Sequence, residues 1–413
     1  MTRTAIVLGA GMVGVSCALA LQKRGIAVTL IDRREPGRET SYGNAGVLAA
    51  SSIVPLNNPS LYAKITGYLG NRHPALNLSW RRAFSRPGWL LRFLWEARPS
   101  QGAARIAALQ ALTASTVELH RALMAEAGVS HRLRETGSLK LWRTEAGHEA
   151  ARAEHDFLKS RGIESQILDR QGISGIEPSL KPIFPAGLLI PCVGSVDSPG
   201  AVTEAYAALF AQRGGKIEQA AITGLARNGN GWRASTTAGS FDADIVVVAL
   251  GPWSGDLLKP LGLDPKLDVE RGYHRHLKPE AGAALSRPVY DVDAAYFMAP
   301  MEQGYRVTSG VDLSFRDAPD EHRQIDGVTA AAREALPLGE VVGETWRGAR
   351  PTLPDSLPMI GEAPRNPGLW LAFGNQHIGF STGPITGEMI AAMVCGESPP
   401  IDPTPFRPGR YIG

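Results

Sequence analysis

Cysteine is scarce. Cys17, Cys192 and Cys395 are the three in the chain, and they stand too far apart for a disulfide framework or a zinc site. Each is expected to be a small buried or half-buried residue. Excess charge of either sign is also missing. The formal net charge is +3, and no basic run offers a footprint for nucleic acid. No stretch of about 18 apolar residues occurs, so no membrane-spanning helix is expected. Met1-Thr2-Arg3-Thr4 leads directly into an apolar strand, without the charged, apolar and cleavage regions of a signal peptide. The expectation is a cytoplasmic protein, or one peripheral on the inner face of the cytoplasmic membrane. Internal repeats and low-complexity tracts are absent too. What remains is ordinary globular composition, 44% hydrophobic and 20% charged over 413 residues. That length suits two or three domains of roughly 100–200 residues each.

What the sequence does have is glycine placed at the ends of strands. Thr4–Leu8 reads as a buried strand, and Gly9-Ala10-Gly11-Met12-Val13-Gly14 follows it directly. Val13, Ser16, Cys17, Ala20, Leu21 and Arg24 then recur at helical spacing up to Gly25. A second strand, Val28–Ile31, ends in Asp32. Gly-x-Gly-x-x-Gly between strand and helix, with an acid about 20 residues on, is a dinucleotide fingerprint. Gly9 allows the tight turn, Gly11 lets the backbone approach a pyrophosphate, and Gly14 permits close helix–strand packing. Asp32 is expected on an adenosine ribose. NAD and FAD share this fingerprint. No second fingerprint exists, which disfavours a two-dinucleotide reductase. Thr40-Ser41-Tyr42-Gly43-Asn44-Ala45-Gly46 offers small residues beside a flat ring. Gly374–Gly387 adds a second glycine-rich strand–helix junction, with a helix end for the far part of a long cofactor. Together these point to FAD.

Further along, Arg105–Ala127 reads as one long amphipathic helix. Strands are expected at Gly137–Arg143, Gly187–Pro191, Lys216–Glu218 and Phe241–Leu250, the last closing in Gly251-Pro252-Trp253. A helix follows Ser198-Pro199-Gly200 as far as Arg213. Tyr273–Leu277, Tyr290–Met298 and Tyr305–Val311 suggest an antiparallel region. The chain then returns to a strand at Leu369–Phe373 and a helix from Pro384 to about Cys395.

The opening fingerprint, TSYGNAG, the Gly251-Pro252-Trp253 element, RGARPTLPDSLPMIG (Arg347–Gly361) and GNQHIGFSTGPITG stand in the order and at the spacing of one family. Over nearly the whole chain the sequence resembles the D-amino-acid oxidase superfamily of FAD-dependent oxidoreductases, and its bacterial D-amino-acid dehydrogenase branch in particular. The resemblance implies an α/β fold. A Rossmann-like FAD-binding domain would be assembled discontinuously from residues 1–55, 196–260 and 345–413. An α+β substrate domain with a large mixed or antiparallel sheet would come from 56–195 and 261–344. It implies FAD contacts from Gly9 to Gly14, Asp32, Arg33, Arg34, Thr40, Ser41, Asn44, Ala45, Gly46, Val47, the backbone of Ile222, Gly251, Trp253, Gly374, and His377, Ile378, Gly379, Phe380 and Ser381.

It further implies that Arg350 holds the carboxylate of a small amino acid. A guanidinium's planar fork matches a carboxylate with two parallel hydrogen bonds. Tyr296 maps to a substrate-domain tyrosine, though it reads equally as a core aromatic. His377 is a departure, because arginine is common there among glycine oxidase relatives, and its role stays open. Tyr273 and His274 either line the site or alternate across a strand. The implied reaction is oxidation of a C–N bond to an imino acid that hydrolyses to the 2-oxo acid. Electrons would pass to a quinone or another carrier, with no protein base strictly required. A secondary-amine substrate, a true oxidase and a flavin-binding subunit of a hetero-oligomer all remain open. So does oligomeric state, and no metal is expected. Finally, Trp80–Trp95 interleaves tryptophan, leucine and phenylalanine with arginine. That composition suits an interfacial membrane anchor, and equally a helical wall packed on the substrate domain.

Overall fold

The computed structural model describes residues 3–71, 73–280 and 282–412; Met1 and Thr2 lie outside them. One of its two large sheets is six-stranded, in the order Lys216–Gln219, Ala27–Asp32, Thr4–Leu8, Ile245–Val248, Leu369–Phe373, Met359–Glu362. Neighbours are parallel except the last pair. The central strands Thr4–Leu8, Ile245–Val248 and Leu369–Phe373 are apolar on both sides because both sides are covered. Val7, Leu30 and Val247 pack under the helices Met12–Lys23, Pro199–Gln212 and Gly379–Val394. Ile6, Leu8, Val246 and Val248 pack against the three-stranded meander Ile222–Ala243. Each such aliphatic side chain removed from water stabilises the fold by about 1.5–3 kcal/mol.

The other large sheet is ten-stranded and mixed. Its centre is the long strand Asp268–Pro279, paired antiparallel on one side with Gly304–Thr308 and on the other with Leu338–Thr352. Beyond Gly304–Thr308 the sheet continues through Tyr296–Met301, Val289–Asp291, Ser138–Trp142 and Ala186–Ile190 to Gln166–Asp169. The helix Arg323–Ala335 covers one face, burying Ile325 and Val328 with Tyr273, Tyr296 and Met298. The opposite face looks toward the glycine turns of the first sheet.

Several expected boundaries are corrected. Arg105–Ala127 is two helices, Pro99–Thr113 and Thr116–Glu126. The break falls in Thr113-Ala114-Ser115-Thr116, where Thr113 Oγ1 donates to Leu109 O and Ala50 O, and Thr116 Oγ1 donates to Ser381 O. Hydroxyls that bond backbone in this way compete with the helix ladder. Phe241–Leu250 is divided at Asp244, whose carboxylate accepts from both N and Oγ1 of Thr4. Tyr290–Met298 is a hairpin that turns through Ala295 at φ 56°. Tyr305–Val311 separates into Gly304–Thr308 and Val311–Leu313. The last helix begins at Gly379, five residues ahead of Pro384, which it contains. Pro384 has no N–H for Phe380 O four residues before it, and His120 Nε2 meets that carbonyl instead at 3.0 Å.

Candidate active site

Local chemistry shapes the turn after the first strand. Gly9 has φ +109°, and a β-carbon there would lie 2.4 Å from Ala249 O. At Gly14 it would lie 1.8 Å from Gly9 O, so the helix could not seat on the strand with any side chain there. Asp32 is tied into this turn: Oδ2 accepts from Ala10 N at 2.7 Å and Oδ1 from Arg34 N at 3.0 Å. Burial raises its pKa, against the pull of those two N–H groups. Ser41 Oγ accepts from Met12 N at 2.9 Å and ties the TSYGNAG loop to the helix start. Arg306, buried in the large sheet, donates from Nη1 to Tyr42 O and Asn44 O and holds the same loop from the other side. Thr40 Oγ1 donates to Ala349 O, next to Arg350.

A continuous cavity of about 940 Å³ extends from this turn, under the loop, to the face of the large sheet. Its near end is walled by Gly11, Asp32, Ile222, Gly251 and Trp253, with the Arg33 guanidinium 4.2 Å from the Trp253 ring centre. Thr40, Ser41, Asn44, Ala45 and Val47 line its middle, with Met12 and Val13. His377, Gly379, Phe380, Trp346 and Arg350 line the far part, and Leu56, Tyr290 and Phe297 close it.

Arg350 lies on the strand Leu338–Thr352, where alternate residues Trp346, Gly348 and Arg350 reach the cavity. Its guanidinium donates from Nη1 to Gly310 O at 3.4 Å. Burial lowers its pKa, and Glu270 opposes that shift. His377 faces the cavity; its Nε2 is 3.1 Å from Ser52 Oγ. Enclosure by the cavity wall, and then the Arg350 charge, hold its imidazole below the usual histidine range.

Not every expected residue reaches this space. Tyr296 points to the opposite face of its strand and is 1% exposed, packed under the helix Arg323–Ala335. Its neighbour Phe297 takes the cavity side and stacks on Tyr290 at 4.5 Å. Tyr290 is the tyrosine that the hairpin presents, and the unrecognised turn concealed it. His274 lies behind Trp346, stacked on it at 4.9 Å, and does not line the cavity. Tyr273 borders the cavity, but its hydroxyl is engaged by Arg271, Asp312 and the N–H of Glu321. Among the expected cofactor contacts, Arg34 turns outward to Glu39. Ala10, Gly14, Gly46, Gly374, Ile378 and Ser381 support the walls without lining them. Ser381 Oγ, for instance, donates to Val47 O and accepts from Ala49 N. Glu270, which no motif signalled, and Gln376, which lies within GNQHIGFSTGPITG but was not among the expected contacts, do line the cavity.

These walls fit a dinucleotide that carries a flat ring. Gln376 Nε2 and Asn375 Oδ1 are buried without hydrogen-bond partners beside the start of the helix Gly379–Val394. Such atoms suit a ring with polar edges, and the helix end suits partial negative charge. Among the described residues no group of three or more His, Cys, Asp or Glu could hold a metal ion. One fingerprint turn opening into a long cavity, with polar atoms left unpaired where a ring would lie, defines a flavin-dependent oxidoreductase.

The comparisons carry this to a family. The model described as FAD dependent oxidoreductase (DAO) matches residues 4–393, and the chain belongs to that family. FAD is therefore its cofactor, and it is an enzyme. A D-amino-acid oxidase of Bradyrhizobium diazoefficiens is 31% identical, covering 99% of both chains. A D-amino acid dehydrogenase of Rhizobium johnstonii is 30% identical over 98% of this chain and 99% of its own. The crystal structure of glycine oxidase from Geobacillus kaustophilus superposes over the full length of both chains, with a TM-score of 0.77 at 23% identity, and shows the shared fold.

Proposed function

We propose that this enzyme oxidises the Cα–N bond of a D-amino acid to the imino acid, which hydrolyses to the 2-oxo acid, and passes the electrons to a quinone or another carrier. The observation that carries this is Arg350. It stands at the far end of the cavity with a single hydrogen bond, to Gly310 O. A cation enclosed in this way is matched by a carboxylate, through two charge-assisted bonds. The names of the two relatives, both enzymes of D-amino acids, support the same substrate class.

Bound FAD supplies the electron-accepting ring. The chain supplies placement. Asp32 and the glycine turn would hold the adenosine and pyrophosphate. The TSYGNAG loop and His377–Phe380 would flank the ring. Arg350 would fix the carboxylate, leaving the substrate side chain against Tyr290 and Phe297. Fixing both reactants in this manner accounts for much of a rate enhancement. In domain terms, residues 1–55, 196–260 and 345–413 would carry the cofactor, and 56–195 and 261–344 the substrate wall. Access of a quinone would be served by a peripheral membrane contact through Trp80–Trp95. No helix among the described residues is long and apolar enough to cross a membrane.

Anaerobic bleaching of the flavin across D-, L-, cyclic and N-methyl amino acids tests the substrate class. Bleaching by D-amino acids is expected, and bleaching confined to N-methyl or L-compounds would replace this reading. Peroxide yield under air separates an oxidase from a dehydrogenase.

A further inference from the structure

Arg350 has a counterpart that the proposed function does not use. Glu270 stands directly opposite it in the antiparallel pairing of Asp268–Pro279 with Leu338–Thr352. Both side chains line the cavity. Glu270 is 3% exposed, and its Oε2 is buried without a hydrogen-bond partner. No hydrogen bond or ion pair joins the two groups, although their strands are adjacent. A buried carboxylate oxygen left unpaired is costly unless a ligand satisfies it.

We propose that Glu270 receives the substrate's ammonium group, so that Glu270 and Arg350 form a two-point receptor for the zwitterion of an amino acid. The assignment rests on the carboxylate role of Arg350. Its logic is charge accounting at one wall of the cavity. A ligand carboxylate arriving at Arg350 cancels the positive charge that Glu270 has beside it. An ammonium on the same ligand replaces that charge at once. A plain carboxylate offers no replacement and sets a second anion beside the first. The pair therefore selects for amines by attraction and against hydroxy and simple acids by repulsion. It also fixes two substituents of Cα, and the Tyr290–Phe297 wall meets a third. Burial raises the Glu270 carboxyl to about 7; Arg350 and Thr352 oppose the shift and Asp268 adds to it. An under-satisfied carboxylate behaves in this way.

The test uses flavin-loaded enzyme and two ligands of one shape, with binding read as the shift of the flavin absorption band. One is 2-aminoisobutyrate, which lacks a Cα hydrogen and so is not consumed. The other is pivalate, in which a methyl group replaces the ammonium. Wild type should prefer 2-aminoisobutyrate. Glu270→Gln should bind it at least tenfold more weakly and bind pivalate as well as wild type or better. Wild-type affinity of E270Q for 2-aminoisobutyrate, or equal weakening of both ligands, overturns the assignment. Arg350→Ala should weaken both ligands; if it does, the carboxylate site stands whichever way Glu270 falls. Wild type that binds neither ligand overturns both readings. A second measurement needs no variant. Proton uptake by wild type at pH 8, from calorimetry in buffers of different ionisation heat, should accompany pivalate and not 2-aminoisobutyrate. Arg350 and Asp268 are the charged groups beside Glu270, and His377 beyond Arg350 meets both ligands alike. Equal proton uptake with the two ligands counts against the proposal.

Discussion

A β-carbon on Gly272 would lie 2.4 Å from Nη2 of Arg350. Glycine at 272 is therefore what lets the guanidinium rest against the neighbouring strand. The atom it would strike is the tip of a flexible side chain, so Gly272→Ala should leave the fold intact and move the arginine. Displacement of a positioning group by about 1 Å costs on the order of 10²-fold in rate. G272A should retain flavin and unfold near the wild-type temperature while kcat/KM falls more than tenfold. Kinetics at the wild-type level would mean that the guanidinium contributes nothing where it now lies.

Arg350→Ala removes the cation itself. Loss of a buried charge contact to a ligand costs about 2–5 kcal/mol in kcat/KM. Arg350→Lys should recover little of this, because an ammonium lacks the planar fork. Steady-state kinetics with a D-amino acid decide the matter, and an unchanged KM in R350A would remove Arg350 from the site.

Asp32→Ala should weaken flavin retention and leave the sheet folded. Asp32 accepts from Ala10 N and Arg34 N, so its loss would both loosen the turn and remove the proposed ribose partner. Flavin content after extended dialysis is the measurement. Full occupancy in D32A would contradict the ribose role.

The nucleotide end was legible in the sequence because its constraints are local. Gly9 and Gly14 are each required by backbone atoms of the turn or of the strand beside it, and the period of the flanking strand and helix marks where the turn sits. The substrate end was less legible because it depends on which face a strand presents. Tyr296 and Phe297 are adjacent, and only the position of the hairpin turn decides which one reaches the cavity. That turn carries no glycine. Its signal is Asp291, whose Oδ1 accepts from Ala294 N, and within a run of apolar residues it reads as one more strand position. Glu270 stayed hidden for a related reason. It shares the alternation of Gly272, but only pairing with a strand some eighty residues later sets it opposite Arg350.

Glu270 also predicts a pH dependence of stability. Its carboxyl is raised in the folded protein from an ordinary 4.5 to about 7. A carboxyl so raised favours the fold below its unfolded value, and that contribution is lost as pH rises through 7. Arg350 on the facing strand and Asp268 on its own strand are the charged groups beside it. Glu270→Gln has no such loss. The stability of wild type relative to E270Q should therefore fall between pH 5 and pH 8, by roughly 3 kcal/mol at most. Thermal unfolding of both proteins across that range measures it, and parallel curves would show that Glu270 ionises as freely as an exposed glutamate.

The helices Trp80–Ser85 and Pro87–Glu96 give the proposed membrane contact a specific form. Trp89 Nε1 donates to Lys266 O, and Arg86 Nη1 to Leu267 O, so one side is anchored to the body of the protein. Arg82 pairs with Asp268 and Arg92 with Glu96. The outer side leaves Phe84 75%, Leu91 67%, Trp95 62% and Trp80 46% exposed. With Arg82, Arg86 and Arg92 all paired internally, this surface would enter a bilayer interface mainly by apolar burial, which salt does not screen. Flotation with anionic vesicles should recover the protein at low salt and most of it at high salt. Replacing Phe84, Leu91 and Trp95 together by serine should abolish recovery while the flavin stays bound. Absence of association at low salt would sink the membrane contact, and recovery that disappears with salt would assign it to charge instead.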